Sequence, residues 1–217
     1  LIAQVISRIR QVFAIELPMR ILFAKPTVSE LAAAIDVERA QADKCQIDSL
    51  RSVSRSRILP LSYSQERLWF LDQFDPGSTS YNMPGAVRLS GDLDVKLLEK
   101  SLNEIIRRHE VLRTTFRAVD GEPEQIIAPP LELKIASIDL RGFSAQQREL
   151  EARRHLEEDT QRPFDLAQGP LVRASLLLLE ETEHILLFTL HHIISDGWSI
   201  AILVREFTAL YEAYRAG

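Results

Sequence analysis

LLFTLHHIISDGWSI, residues 186–200, ends an apolar run with two adjacent histidines and then an aspartate and a glycine. Side chains alternate across a strand, so His191 and His192 must point to opposite faces. His192 shares a face with Leu190 and Phe188; His191 shares one with Thr189 and Leu187. Only one imidazole can easily serve a given site, and the other is structural. The run is apolar on both faces, as expected of a strand inside an α/β sheet. SDG then turns the chain directly into a helix that starts near Trp198. In open α/β folds such strand-to-helix turns lie at the sheet edge where ligands bind.

The ordinary reading of a buried histidine is a hydrogen-bonded packing residue. A histidine at this turn can also act as a general base near neutral pH. A carboxylate nearby suggests a nucleophilic triad. No G-x-S-x-G elbow exists in the chain, however, and Ser195 and Ser199 flank the turn without that context. A metal site is poorly supported, because adjacent histidines diverge and no second His/Asp/Glu cluster stands at ligand spacing. Acyl transfer remains, with histidine serving an external nucleophile and Asp196 holding the loop. A partly buried Asp196 would need a cation, and Arg67 in SQERLWFL is the expected partner.

Outward from this turn, strands alternate with helices. Residues 62–74 predict a short helix and 85–91 a strand. Val95, Leu98, Leu102, Ile105 and Ile106 fall on one face of a strong helix. Residues 112–128 predict two strands joined at Asp120-Gly121, and 131–138 another strand. Residues 144–161 predict a charged helix with a weak apolar stripe. Residues 171–180 and 184–192 predict two more strands, and 198–214 a closing amphipathic helix. The pattern implies an α/β sandwich with a mixed sheet.

Before it, Ile2, Val5, Ile6, Ile9, Val12 and Phe13 recur at helical spacing. Pro18 follows the end of that helix, and KPTVSELAAAI (25–35) opens another, with Thr27 as N-cap and Glu30 completing a capping box. These look like half of a small helical bundle, at residues 1–37. Residues 38–57 are polar, rich in Ser and Arg, and predict a linker; 58–217 form the α/β part. The chain opens at Leu1 inside one helical pattern and stops just after another, which suggests a piece of a longer polypeptide.

With 46% apolar residues among 217, a real core is expected. A net charge of −5 argues against nucleic-acid binding. No apolar run approaches a membrane span, and the N-terminus lacks the marks of a signal peptide. Cys45 is the single cysteine, so neither an internal disulfide nor a cysteine-based zinc site is expected, which suits a cytoplasmic setting.

HHIISDG fits the HHxxxDG signature of nonribosomal peptide synthetase condensation domains, a signature shared with chloramphenicol acetyltransferase-like acyltransferases generally. LSYSQERLWFLDQFDPGSTSYNMP (61–84) resembles the first condensation motif and RRHEVLRTTF (107–116) the second, in the expected order. Residues 1–35 resemble the second half of a peptidyl carrier domain. The resemblance implies a chloramphenicol acetyltransferase-like sandwich lobe preceded by a partial carrier bundle. It implies a second lobe that would complete the tunnel, and inactivity of these residues alone.

The implied reaction is amide formation between a carrier-bound aminoacyl or peptidyl donor and a carrier-bound aminoacyl acceptor, in secondary-metabolite or antibiotic biosynthesis. His192 aligns with the catalytic histidine, whose role is either proton acceptor or positioner of the amine. Gly197 aligns with a glycine whose backbone N–H faces the developing oxyanion. Asp196 aligns with an aspartate read as structural and paired with an arginine, for which Arg67 is the candidate; His191 is left to packing. The phosphopantetheine-bearing serine would stand just before Leu1, so the arm is expected on partner carriers. Upstream and downstream carriers, an adenylation domain and the second lobe are the expected partners; no metal, nucleic acid or membrane is. SDGWSI and SYNMP look most like domains joining an L-donor to an L-acceptor. An inactive docking fragment and another HHxxxDG acyltransferase are the alternatives.

Overall fold

A computed structural model describes residues 2–13, 15, 17–41, 53–54 and 58–217. Most of the linker expected at 38–57, with Cys45, lies outside the described residues. The chain divides into two compact units, Leu1–Ser54 and Arg55–Gly217.

The first unit holds helices α1 (Ile2–Phe13), α2 (Met19–Ala24) and α3 (Val28–Gln41). Ile9, Ile15, Leu17 and Ile35 form its core. The sequence reading missed α2, which is too short to show a helical period. The capping box before α3 is present: the Glu30 N–H donates to Thr27 Oγ1 at 3.3 Å, and Thr27 N–H donates back to Glu30 Oε2 at 3.4 Å. Helix α3 runs to Gln41, past the boundary expected at 37. Glu, Arg, Ala and Gln carry it on as good helix formers, without needing an apolar face.

The second unit runs α4 (Tyr63–Phe74), β1 (Asn82–Ser90), α5 (Val95–Arg108), a 3₁₀ turn (Glu110–Arg113), β2 (Thr114–Val119), β3 (Glu122–Ile127), β4 (Ala136–Asp139), α6 (Ala145–Thr160), β5 (Val172–Leu178), β6 (Glu183–His191) and α7 (Gly197–Ala216). One sheet has the order β1-β6-β5-β4, with β4 and β5 parallel and the other pairs antiparallel. This is the mixed sheet that the alternation of elements implied. β2 and β3 form a separate hairpin. Its turn has positive φ at both Asp120 (53°) and Gly121 (88°), as a type I′ two-residue turn requires.

The strand expected at 131–138 forms only from Ala136. Upstream of it, helix α5 takes the backbone groups that a strand ladder would use. Leu133 N–H donates to Asn103 Oδ1 at 2.7 Å, Asn103 Nδ2 donates back to the Leu133 carbonyl at 3.0 Å, and Ile135 N–H donates to Glu99 Oε1 at 2.9 Å.

Strand β6 lies between β1 and β5 and is buried along most of its length on both faces. Leu186 packs with Leu98 of α5, with Phe207 and Tyr211 of α7 against the same cluster. Ile185 and Leu187 pack with Ala152 and Leu156 of α6 on the other face. The sheet is thus covered by helices on both sides, which makes β6 a rigid carrier for whatever follows it.

Candidate active site

Strand β6 ends at His191, and two strong backbone bonds fix what comes next. His191 N–H donates to the Leu171 carbonyl at 3.0 Å, and His192 N–H donates to the Tyr81 carbonyl at 2.9 Å. Ile193 and Ile194 then dip into the core beside Leu61 and Leu112. The turn is therefore pinned from below.

The two imidazoles separate as the strand alternation implied. His191 is 3% exposed. Its ring meets Phe164 edge-on at 6.1 Å and Tyr81 at 6.4 Å. Its Nδ1 accepts from the Ile193 N–H at 3.2 Å. Burial, with the adjacent His192, pushes its pKa down to about 4, so it is a neutral packing group near pH 7.

His192 is exposed. Its Nδ1 lies 2.7 Å from the Ser195 carbonyl oxygen. A carbonyl can only accept, so Nδ1 carries the proton; in the neutral ring Nε2 is then the atom with the lone pair, and no hydrogen bond occupies it among the described residues. The ring is thus oriented by its own turn, with its basic atom available.

Asp196 does not do what the sequence reading assigned to it. It is exposed, and it caps α7. The Ser199 N–H donates to its Oδ1 at 2.8 Å, and its own N–H donates to Ser199 Oγ at 2.8 Å. The Ser199 hydroxyl and then the Ser199 N–H, both donating to the Asp196 carboxylate, hold it below the usual range. Arg67 is exposed on α4. Among the described residues no ion pair joins Arg67 to Asp196, so the expected buried pair is corrected: a carboxylate in water with a helix N-terminus needs no guanidinium.

Gly197 opens α7, and its N–H, as first in the helix, has no acceptor among the described residues. A Cβ there would meet nothing within 4 Å. The N–H is free to face a ligand.

Two supports were missed. Gln65 accepts the Ser62 N–H at 2.9 Å and sends its Nε2 to the Ile193 carbonyl at 3.4 Å, tying the start of α4 to the histidine turn. The S-x-x-Q spacing in SYSQ signals such a capping box and could have revealed it. Phe164 carried no such signal; its partners come from distant segments. Among the described residues, no group of three His, Cys, Asp or Glu could hold a metal ion, and no helix is long and apolar enough to cross a membrane.

Comparison with known proteins gives two matches to family models: "Condensation domain" over residues 55–217 and "Phosphopantetheine attachment site" over 1–35. The chain is 51% identical over 214 residues to one of the linear gramicidin synthase polypeptides of Brevibacillus parabrevis, covering 99% of this chain and 4% of that protein. It is 35% identical to the phosphinothricin tripeptide synthetase PhsB of Streptomyces viridochromogenes, covering 97% of this chain and 18% of that protein. Among solved structures, the starter condensation domain of rhizomide synthetase RzmA superposes with a TM-score of 0.68 at 25% identity, covering 74% of this chain and 38% of that one. The first condensation domain of the calcium-dependent antibiotic synthetase, in complex with a substrate analogue, gives 0.68 at 27% identity, covering 74% and 38%.

Proposed function

The chain belongs to the condensation-domain family over residues 55–217, and on that premise we propose that it supplies the histidine-bearing half of a domain that forms amide bonds in a nonribosomal peptide synthetase. The donor is an acyl group held as a carrier thioester. The acceptor is the amine of an aminoacyl group on a second carrier. The amine attacks the thioester carbonyl, the C–N bond forms, the C–S bond breaks, and the carrier thiol leaves.

The observation that carries this reading is the free Nε2 of His192, fixed by the bond from Nδ1 to the Ser195 carbonyl. That atom can take the proton the amine loses, or hold the amine by accepting its N–H; orientation alone lowers such barriers substantially. The Gly197 N–H, unpaired at the start of α7, is the oxyanion donor of this proposal. His191 stays neutral and holds the fold beneath.

Residues 1–35 match the phosphopantetheine-attachment model, and α1–α3 give them a helical core. By resemblance the serine that takes the arm stands immediately before Leu1, so no residue of this chain is assigned to it. When bound, phosphopantetheine supplies a thiol on a long flexible tether. Carriers on both sides, an adenylation domain and the rest of the condensation domain are the partners of this reading, in the cytoplasm. SDGWSI and SYNMP support an L-donor joined to an L-acceptor. The matched part, 74% of this chain, spans 38% of the solved condensation chains cited above.

The test is His192→Ala in a polypeptide carrying a complete condensation domain, with both carriers loaded. Mass spectrometry should find no amide-linked product on the acceptor carrier while donor loading persists. Product at the unsubstituted rate would overturn the assignment.

A further inference from the structure

Strand β5 carries a charged side chain into the region beneath the histidine turn. Arg173 lies opposite Thr189 in the β5–β6 register, so the two share a face of the sheet. Its guanidinium is largely shielded from solvent and uses four of its five N–H groups. Nε donates to Asp159 Oδ1 at 3.1 Å, Nη1 to the Pro163 carbonyl at 3.3 Å, and Nη2 to the Asp159 and Arg162 carbonyls at 2.8 Å each. These acceptors belong to the end of α6 and the segment just after it, where helix carbonyls lack partners.

Two links run from this centre to the histidines. Asp159 uses its second oxygen, Oδ2, to accept from the Thr189 hydroxyl. Thr189 is fully buried and stands two residues before His191 on the same face. The guanidinium carbon also lies 3.7 Å above the centre of the Phe164 ring, within cation–π range. Phe164 also meets His191, edge-on at 6.1 Å with the planes at 83°. The chain of contacts therefore closes on itself: Thr189, Asp159, Arg173, Phe164, His191. It grips the last three residues of β6 at both ends.

We propose that Arg173 and Asp159 are positioning residues for the amide-forming reaction, setting the orientation of His192 through Phe164, His191 and Thr189. The proposal rests on the reading that His192 serves the reaction. Neither residue is in contact with His192 in the structure; their effect passes through the packing of His191 and the backbone that leaves it. A guanidinium is required because one planar group must fill four acceptors and lie flat on a ring; an ammonium carries the charge but has neither the fork nor the face. A carboxylate is required at 159 because it must receive the guanidinium on one oxygen and the Thr189 hydroxyl on the other.

The test uses a polypeptide carrying a complete condensation domain with both carriers loaded. Arg173→Lys, Arg173→Met, Asp159→Asn and Thr189→Val are compared by single-turnover transfer and by ¹⁵N NMR of the His192 imidazole, with thermal melting to establish that each folds. In the unsubstituted protein the imidazole should show one form, protonated at Nδ1. Arg173→Lys should fold and lower the transfer rate about 10- to 100-fold, as a small misplacement of a reacting group does. Its KM for the acceptor carrier should stay unchanged, and its His192 signals should show mixed tautomers. Arg173→Met is the severer change; if it does not fold, Arg173→Lys and Asp159→Asn decide. A folded Arg173→Lys or Asp159→Asn variant with the unsubstituted rate and unsubstituted imidazole signals would overturn the proposal. If the imidazole signals change while His192→Ala retains full activity, the reading of His192 as the reacting group fails, and with it the role of Arg173 and Asp159 in the reaction, although they still orient the ring.

Discussion

The Nδ1 atom of His192 lies 2.7 Å from the carbonyl oxygen of Ser195, three residues further along the same turn. The ring is thereby held by one nitrogen and offered by the other. Two substitutions separate its possible roles. The amide of His192→Asn reaches about as far as Nδ1 and can keep the bond to the Ser195 carbonyl, but it puts nothing where Nε2 was. The amide of His192→Gln reaches the Nε2 position and can orient an amine, but it is no base. His192→Asn should fold normally and lose roughly 10²- to 10⁴-fold in transfer rate, the usual worth of a positioned acid–base group. An equal loss in His192→Gln marks proton transfer; substantial recovery there marks orientation.

His191 makes stability depend on acid. Its ordinary value is 6.5, and burial with the neighbouring His192 lowers it to about 4 in the folded chain. Above the ordinary value the group is neutral in both states and costs nothing. As pH falls below it, the unfolded chain binds a proton that the folded one refuses, so stability declines until about pH 4. The total is on the order of 2–3 kcal/mol. Urea melts between pH 7 and pH 4 should show this slope, and His191→Gln should flatten it relative to the unsubstituted chain. An unchanged slope in the variant would place the titration elsewhere.

Asp196 and Arg67 should behave as strangers. Asp196 caps α7 through Ser199, so Asp196→Ala should cost about 1 kcal/mol, the usual worth of an N-cap, and Asp196→Asn much less. Arg67→Ala, on the exposed side of α4, should stay within about 0.5 kcal/mol. The double variant should equal the sum. Coupling between them in thermal melts would restore the ion pair that the structure removes.

That correction shows what the sequence could and could not carry. Periodicity made α1 and α5 legible, the Thr27–Glu30 capping box α3, and the Asp120-Gly121 turn the β2–β3 hairpin; alternation alone gave the divergence of His191 and His192. Helix α2 was invisible because six residues hold no period. The pairing of Asp196 with Arg67 was guessed from an assumed burial, and burial is a property of the folded chain. The D-G-x-S spacing of Asp196 and Ser199, by contrast, already held the cap. Arg173 could not be found beforehand: its acceptors are mainly backbone carbonyls at the end of α6 and after it, and no residue type encodes those.

Gly85 of β1 stands opposite Phe188 of β6, and a Cβ on Gly85 would come within 2.2 Å of that ring. The ring lies across β1 because nothing projects there. Phe188 also lines an apolar cavity of about 220 Å³ between the sheet and helices α5 and α7, alongside Leu203 and Phe207. Gly85→Ala must therefore push the ring toward that space. Overpacking of a core typically costs about 1–3 kcal/mol, and the room behind the ring favours the lower end. Phe188→Leu withdraws the ring and removes the clash. The double variant should then be more stable than the two single costs imply, by at least about 0.5 kcal/mol. Because β1 and β6 also hold the Tyr81 carbonyl to the His192 N–H just beyond the last pair, Gly85→Ala should slow transfer as well, and Phe188→Leu should restore part of the rate. Additive stabilities with an unaltered rate would mean that the ring already lies clear of β1.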